Sequence, residues 1–153
     1  MKNETSNPVS HAMDQIGTAH LIWKRFLQRG LNQYGLNLKQ IFLLRRLNEE
    51  EFLYPATIAD ELFCDRPTAT VIVGNLERKG WVDKERDPDD RKRVRVRLSD
   101  AGAEKLSSVP KSAYRTGKTH VDPLECFTSD ELDSLHLLLN KLVSHLQQLV
   151  SDR

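Results

Sequence analysis

The sequence predicts a mainly α-helical chain carrying one small β-hairpin, an α+β fold, on three observations. Apolar residues recur at helical spacing over most of the 153 residues. One short run, Arg93-Val94-Arg95-Val96-Arg97-Leu98, alternates with period two instead. Between the two patterns lie Gly80, suited to the left-handed position just past a helix end, and Asp87-Pro88-Asp89-Asp90, with Asp and Pro at the first two positions of a type I turn.

Ile16, Ala19, His20, Trp23, Phe26, Leu27 and Tyr34 recur at spacings of three, four and seven, which makes an amphipathic helix from Pro8 to Gln33. Such a helix spans about 40 Å at the rise of an α-helix. Leu21, Ile22 and Leu31 widen its apolar surface beyond the needs of one small core, so a second subunit is expected against it. Gly35 ends it. Asn37 with Gln40 three residues on makes a capping box and opens a helix whose Ile41, Leu44 and Leu47 face inward, with Arg45 and Arg46 outside. Glu49-Glu50-Glu51 reads as a solvated loop. Pro55 suits the first turn of a short helix with Ile58, Ala59 and Leu62 inward.

Phe63-Cys64-Asp65-Arg66 then turns the chain into a helix from Pro67 to Lys79, whose Ala69, Ile72, Val73 and Leu76 fall on one side. The other side carries Thr68, Thr70, Val71, Gly74, Asn75 and Arg78, short and hydrogen-bonding rather than the Glu/Lys mixture of a solvated helix. Gly74 costs about 1 kcal/mol against Ala in mid-helix, which suggests that something comes close to the backbone there. A DNA major groove fits: Thr can meet thymine methyls and base edges, Asn can pair with adenine, and Arg with guanine or phosphate. Two short helices, a tight connection and a second helix with a polar outer face make a helix-turn-helix pattern, and the hairpin adds a wing. In that hairpin Val94, Val96 and Leu98 should point inward and Arg93, Arg95 and Arg97 outward.

Past the wing, Ser99 can cap a helix running through Ala101, Leu106, Val109 and Ala113, with Pro110 forcing a kink or break near Lys111. Thr128 and Glu131 form another capping box. The last helix places Leu132, Leu139 and Leu146 at one heptad position and Leu135, Leu142 and Leu149 at another, a seam expected to join subunits.

Charge agrees with this reading. Residues 66–97 hold ten basic and six acidic side chains, net +4, against −1 before them and −2 after them. The positive charge thus lies where a polyanion would be met. No Ser-His-Asp arrangement, HExxH, phosphate-binding glycine loop or metal-spaced cluster is present, so the sequence reads as neither an enzyme nor a metal or cofactor protein. Cys64 and Cys126 are isolated, which implies no disulfide framework and no zinc site. The polar Met1–Asp14 segment and the absence of any bilayer-length apolar stretch place the chain in the cytoplasm, away from membranes. The competing interpretation, a winged-helix module that binds another protein without specific DNA binding, fits the outward arginines less well, since charge is depleted at the cores of protein interfaces.

Three runs carry a family resemblance: Leu76-Glu77-Arg78-Lys79-Gly80-Trp81-Val82, then Arg86-Asp87-Pro88-Asp89-Asp90-Arg91-Lys92, then Val96-Arg97-Leu98-Ser99-Asp100-Ala101-Gly102. They resemble the MarR (multiple antibiotic resistance regulator) family of winged-helix transcription factors. The resemblance implies one domain over 8–151, with a winged helix-turn-helix lobe at 37–99 and long dimerisation helices at 8–34 and 100–151. It further implies a homodimer on double-stranded DNA, acting as a repressor on a near-palindromic operator. The recognition helix would enter the major groove and the wing the adjacent minor groove.

Pro67, Thr68, Thr70, Val71, Asn75 and Arg78 take the recognition role, and Asp90, Arg91 and Lys92 the wing role, with Arg86, Arg93 and Arg95 as further wing cations. Lys92 stands where the family usually has a second arginine, and Pro67 where it often has serine. Many relatives release DNA when a small aromatic or phenolic effector binds between the dimer helices and the DNA-binding lobe. His20, Trp23 and Tyr34 lie on the corresponding helix, and read either as its ligands or as core. Relatives that sense peroxide carry a Cys early in the first helix; here that helix has none, and Cys64 reads as a small buried hydrophobe.

Overall fold

A computed structural model describes residues 8–113 and 122–151. Six α-helices and one two-stranded antiparallel hairpin run in the order α1 (Pro8–Asn32), α2 (Leu38–Glu49), α3 (Pro55–Glu61), α4 (Arg66–Arg78), β1 (Val82–Arg86), β2 (Val94–Leu98), α5 (Asp100–Ser108) and α6 (Ser129–Ser151), with a single 3₁₀ turn at Lys111–Ala113. Two compact units divide between residues 115 and 116.

The first unit is built on α2, α3 and α4. Leu44, Ile58 and Leu76 are fully buried at its centre, joined by Ile41, Leu47, Ala69, Ile72, Val73 and by Val82 and Val96 from the hairpin. Local chemistry sets the helix ends. Asn37 and Gln40 exchange hydrogen bonds at the start of α2, at 2.9 and 3.1 Å. The α5 helix starts where Gly102 N–H donates to Ser99 Oγ at 3.0 Å, and stops at Val109 before Pro110. A proline N cannot donate, and a short 3₁₀ turn follows at Lys111–Ala113.

Only the C-terminal part of α1 enters this core. Leu31, expected on the surplus apolar surface, is fully buried, because the chain folds back at Gly35 (φ 65°) and lays α2 against that end of the helix. Leu21 and Ile22 stay 66% exposed, and Ile16 and Phe26 are exposed as well. The turn between α3 and α4 passes through Phe63 at φ 47°, a left-handed position in which its N–H donates to Asp60 O at 3.1 Å.

The second unit holds α6. Thr128 and Glu131 cap it reciprocally, Thr128 N–H donating to Glu131 Oε2 at 2.8 Å. The two bonds from Thr128 hold the Glu131 carboxyl below its ordinary range. Of the leucine seam, Leu132, Leu135 and Leu142 are half-buried, while Leu139, Leu146 and Leu149 are exposed. No helix among the described residues is long and apolar enough to cross a membrane.

Candidate nucleic-acid interface

The exposed face of α4 is held by caps at both ends. Asp65 accepts from Thr68 N–H at 2.7 Å, and the Thr68 hydroxyl and N–H together hold the Asp65 carboxyl below its ordinary range. At the other end Gly80, at φ 71°, donates to Glu77 O at 2.8 Å and Trp81 N–H donates to Leu76 O at 3.0 Å, the paired bonds of a Schellman stop. Between these ends Ala69, Ile72, Val73 and Leu76 are buried, so the helix cannot rotate without exposing its core face. Pro67, Thr68, Thr70, Val71 and Arg78 are therefore presented to solvent, with Gly74 and Asn75 half-buried beside them.

The wing leaves α4 through β1 and returns through β2 in the register Val82↔Leu98 to Arg86↔Val94. Lys84 Nζ reaches Glu77 Oε2 at 2.6 Å and ties the base of the hairpin to α4. The turn lies three residues later than expected. Arg93 N–H donates to Asp90 O at 2.8 Å, making Asp90-Arg91-Lys92-Arg93 the hydrogen-bonded turn. Asp87 instead folds its side chain under the loop, Oδ1 accepting from the N–H groups of Asp89 (2.8 Å) and Asp90 (3.2 Å). Asp90 Oδ1 accepts from Lys92 N–H at 3.1 Å, and Arg86 Nη1 donates to Arg91 O at 3.1 Å. Both site residues thus shape the tip. The side chains of Arg91 and Lys92 project from it, exposed and without hydrogen bond or ion pair among the described residues.

The arginines of β2 depart from the expected outward face. Phe52-Leu53-Tyr54 lies along the strand, Leu53 exchanging both backbone hydrogen bonds with Val96 at 2.9 Å, and covers the side on which the arginines stand. Arg95 is only 14% exposed in its side chain. Its Nε and Nη2 donate to the Oδ2 and Oδ1 of Asp87 at 3.0 and 3.1 Å, and its guanidinium lies 4.1 Å from the Phe52 ring centre. Arg97 pairs with Glu51 and Glu85 at 3.0 and 2.7 Å. Arg93 packs 3.5 Å over Tyr54 and remains exposed. Arg95 is therefore removed from the cations available at the surface, because a buried aspartate and an aromatic ring already satisfy it.

Asp87, 3% exposed, is the centre of this arrangement. The Tyr54 hydroxyl donates to its Oδ2, and that bond, with those from Asp89, Arg95 and Asp90, holds its carboxyl well below the usual carboxylate range against the opposing effect of burial. From the sequence, Asp87 stands out as a turn residue within the wing run, and Phe52 and Tyr54 carry no functional signal of their own. The available signal is the short aromatic-rich run Phe52-Leu53-Tyr54 between Glu51 and Pro55, too short to mark a strand. Arg46, expected outside, is likewise engaged: it binds Glu49 and Glu50 at the end of its own helix at 2.7 and 3.2 Å and Glu61 of α3 at 2.9 Å, so the Arg46–Glu61 pair ties α2 to α3.

The three residues considered for an effector are not drawn together. Trp23 stacks on Phe26 with ring centres 5.2 Å apart, Tyr34 packs on the core, and His20 is exposed. A cavity of about 410 Å³ instead opens between α2 and the end of α5, lined by Arg45, Asn48, Glu49, Leu106, Val109 and Lys111 among others. Among the described residues no group of His, Cys, Asp or Glu side chains is arranged to hold a metal ion. Cys64 is half-buried against the core and Cys126 is exposed.

Residues 36–94 match the MarR family model. The chain is 27% identical over 121 residues to the HTH-type transcriptional regulator SarZ of Staphylococcus saprophyticus, covering 77% of this chain and 78% of that protein. It is 27% identical over 124 residues to the transcriptional repressor MprA of Escherichia coli, covering 80% of this chain and 69% of that protein. Among solved structures, a mutant MarR from Escherichia coli complexed with operator DNA superposes with a TM-score of 0.75 at 22% identity, over 92% of this chain and 99% of that one, which is a likeness of fold.

Proposed function

We propose that this chain is a regulator of the MarR family that binds double-stranded DNA sequence-specifically as a homodimer and represses transcription from a near-palindromic operator. The lobe at 37–99 would do the reading, and the helices at 8–34 and 100–151 the pairing. The observation that carries this reading is the composition of one lobe. A capped helix with a mostly uncharged exposed face is joined to a wing whose tip residues Arg91 and Lys92 have side chains without a partner among the described residues. Uncharged groups at base edges and free cations at phosphates or in the minor groove is the division of labour that sequence-specific DNA binding uses. MprA, a relative of similar length of match, is a repressor, which supports that sense of regulation.

The pairing is supported by the apolar surface left over in a single chain. Leu21, Ile22 and Phe26 of α1 are exposed, and so are Leu138, Leu139, Leu146 and Leu149 of α6. A second copy would cover them, and two recognition helices would then meet half-sites about 34 Å apart. A small aromatic or phenolic effector is part of the same proposal, with the half-buried Trp23 ring of α1, stacked on Phe26, as its contact rather than a site shared with His20 and Tyr34. Selection of bound duplexes from a random pool tests the whole reading, with sedimentation to report the mass of the free protein. A palindrome and a dimer are expected. Arg91→Ala should weaken binding to all duplexes and lower the salt slope by about one, whereas Asn75→Ala should relax preference at particular bases. Unchanged affinity of both variants across a salt series refutes the docking.

A further inference from the structure

Several polar groups on the exposed face of α4 are engaged within the helix and its N-cap. The Thr70 hydroxyl donates to Arg66 O at 2.9 Å, which leaves its methyl as the group free for an outside contact. The Thr68 hydroxyl bonds to the Asp65 carboxylate. The Asn75 side-chain oxygen, which a bidentate adenine contact requires, already accepts from Arg78 Nη2. Arg78 Nε is drawn back to Gly74 O at 3.4 Å. What remains outward at the centre is apolar: Val71, 61% exposed, and the Thr70 methyl, one helical turn before Gly74. A Cβ built at Gly74 meets no atom within 4 Å, so nothing in the protein requires glycine there. Glycine nonetheless occupies a mid-helix position that its own flexibility penalises.

Resting on the reading of this lobe as a DNA binder, we propose that the helix reads the C5-methyl groups of pyrimidines in the major groove, with Val71 and Thr70 as the methyl contacts and Gly74 as the clearance that lets the base edge approach. Of the four bases only thymine carries such a methyl, and apolar side chains are its natural partners. The exposed Arg66 at one end of the helix and the wing-tip cations supply the attraction to the phosphates on either side. Specificity at the centre of each half-site is then set by shape and methyl burial, and Gly74 is a specificity-determining residue.

The test uses the full chain and a duplex recovered by selection, with each thymine of a half-site replaced in turn by deoxyuridine, which differs only in lacking the methyl. About fourfold weaker binding is expected at each contacted thymine, the value of burying one methyl-sized group. Placing 5-methylcytosine for cytosine at the same step should restore the contact, and this arm separates thymine reading from methylated-cytosine reading. Val71→Ala should shrink the difference between thymine and deoxyuridine at the thymine it contacts. Gly74→Ala should bind at least tenfold more weakly while melting about 2–4 °C higher, since alanine favours the helix and fits the protein. That opposite movement of affinity and stability separates lost clearance from misfolding. Equal binding of thymine and deoxyuridine duplexes at every position, or wild-type affinity of Gly74→Ala, overturns the inference and leaves DNA binding standing. Failure of the wild-type protein to prefer any duplex over random DNA overturns both.

Discussion

A methyl group added at Gly102 tests how the wing is joined to the rest of the lobe. Gly102 sits in the first turn of α5, and its N–H donates to Ser99 Oγ. A Cβ there would lie 2.0 Å from the carbonyl oxygen of Trp81 and 2.8 Å from Leu98 Cδ1. Ordinary contact begins near 3.4 Å, so helix and carbonyl must part by more than 1 Å. The carbonyl cannot simply yield. It accepts from Ser99 N–H at 3.2 Å, and the Ser99 hydroxyl donates to Gly80 O at 2.6 Å, binding the end of β2 to the start of β1. Overpacking of this kind costs about 1–3 kcal/mol. At about 2–4 °C per kcal/mol for a chain of this size, Gly102→Ala should melt about 2–12 °C lower. Thermal unfolding followed by circular dichroism, at one fixed chain concentration because pairing would contribute to the melting point, measures it. A variant melting at or above wild type would refute the account of why glycine stands at this position.

Leu76→Ala empties a fully buried site between α4 and the hairpin, and should lower stability by about 2–5 kcal/mol, read from a urea midpoint that falls at unchanged slope. The Asp87 carboxyl is depressed in the folded chain, chiefly by the Tyr54 hydroxyl, so its contribution is complete above the unfolded carboxylate value near pH 4 and is lost as pH falls through the lower folded value. The melting difference between wild type and Asp87→Asn should accordingly be flat from about pH 5 to 7 and shrink only below about pH 4. A difference that already shrinks between pH 7 and 5 would contradict the hydrogen-bonded, ionised Asp87 carboxylate at the base of the wing tip.

Much of the chain could be read locally. The capping pairs Asn37–Gln40, Thr128–Glu131 and Ser99 with Gly102 connect residues three apart, and the buried face of α4 follows from helical periodicity alone. The same local rules anticipated the break at Pro110 and the left-handed Gly80. In each case the partners are close in sequence, so residue type and spacing are enough to decide the geometry.

The alternation in β2 correctly separated Val96 from the arginines and could not tell what the arginine side would meet. That was decided by Leu53 pairing with Val96 across more than forty residues, which brings Phe52 and Tyr54 over Arg93, Arg95 and Arg97 and carries Asp87 beneath them. Likewise the sequence showed which hydroxyls and amides share a face of α4, while the folded helix decided that Thr70 and Asn75 bond within it. Periodicity reports which side chains stand together, because the backbone repeat is local. Whether that shared side faces water, an aromatic ring or a carboxylate depends on distant chain segments, and only tertiary packing brings those into place.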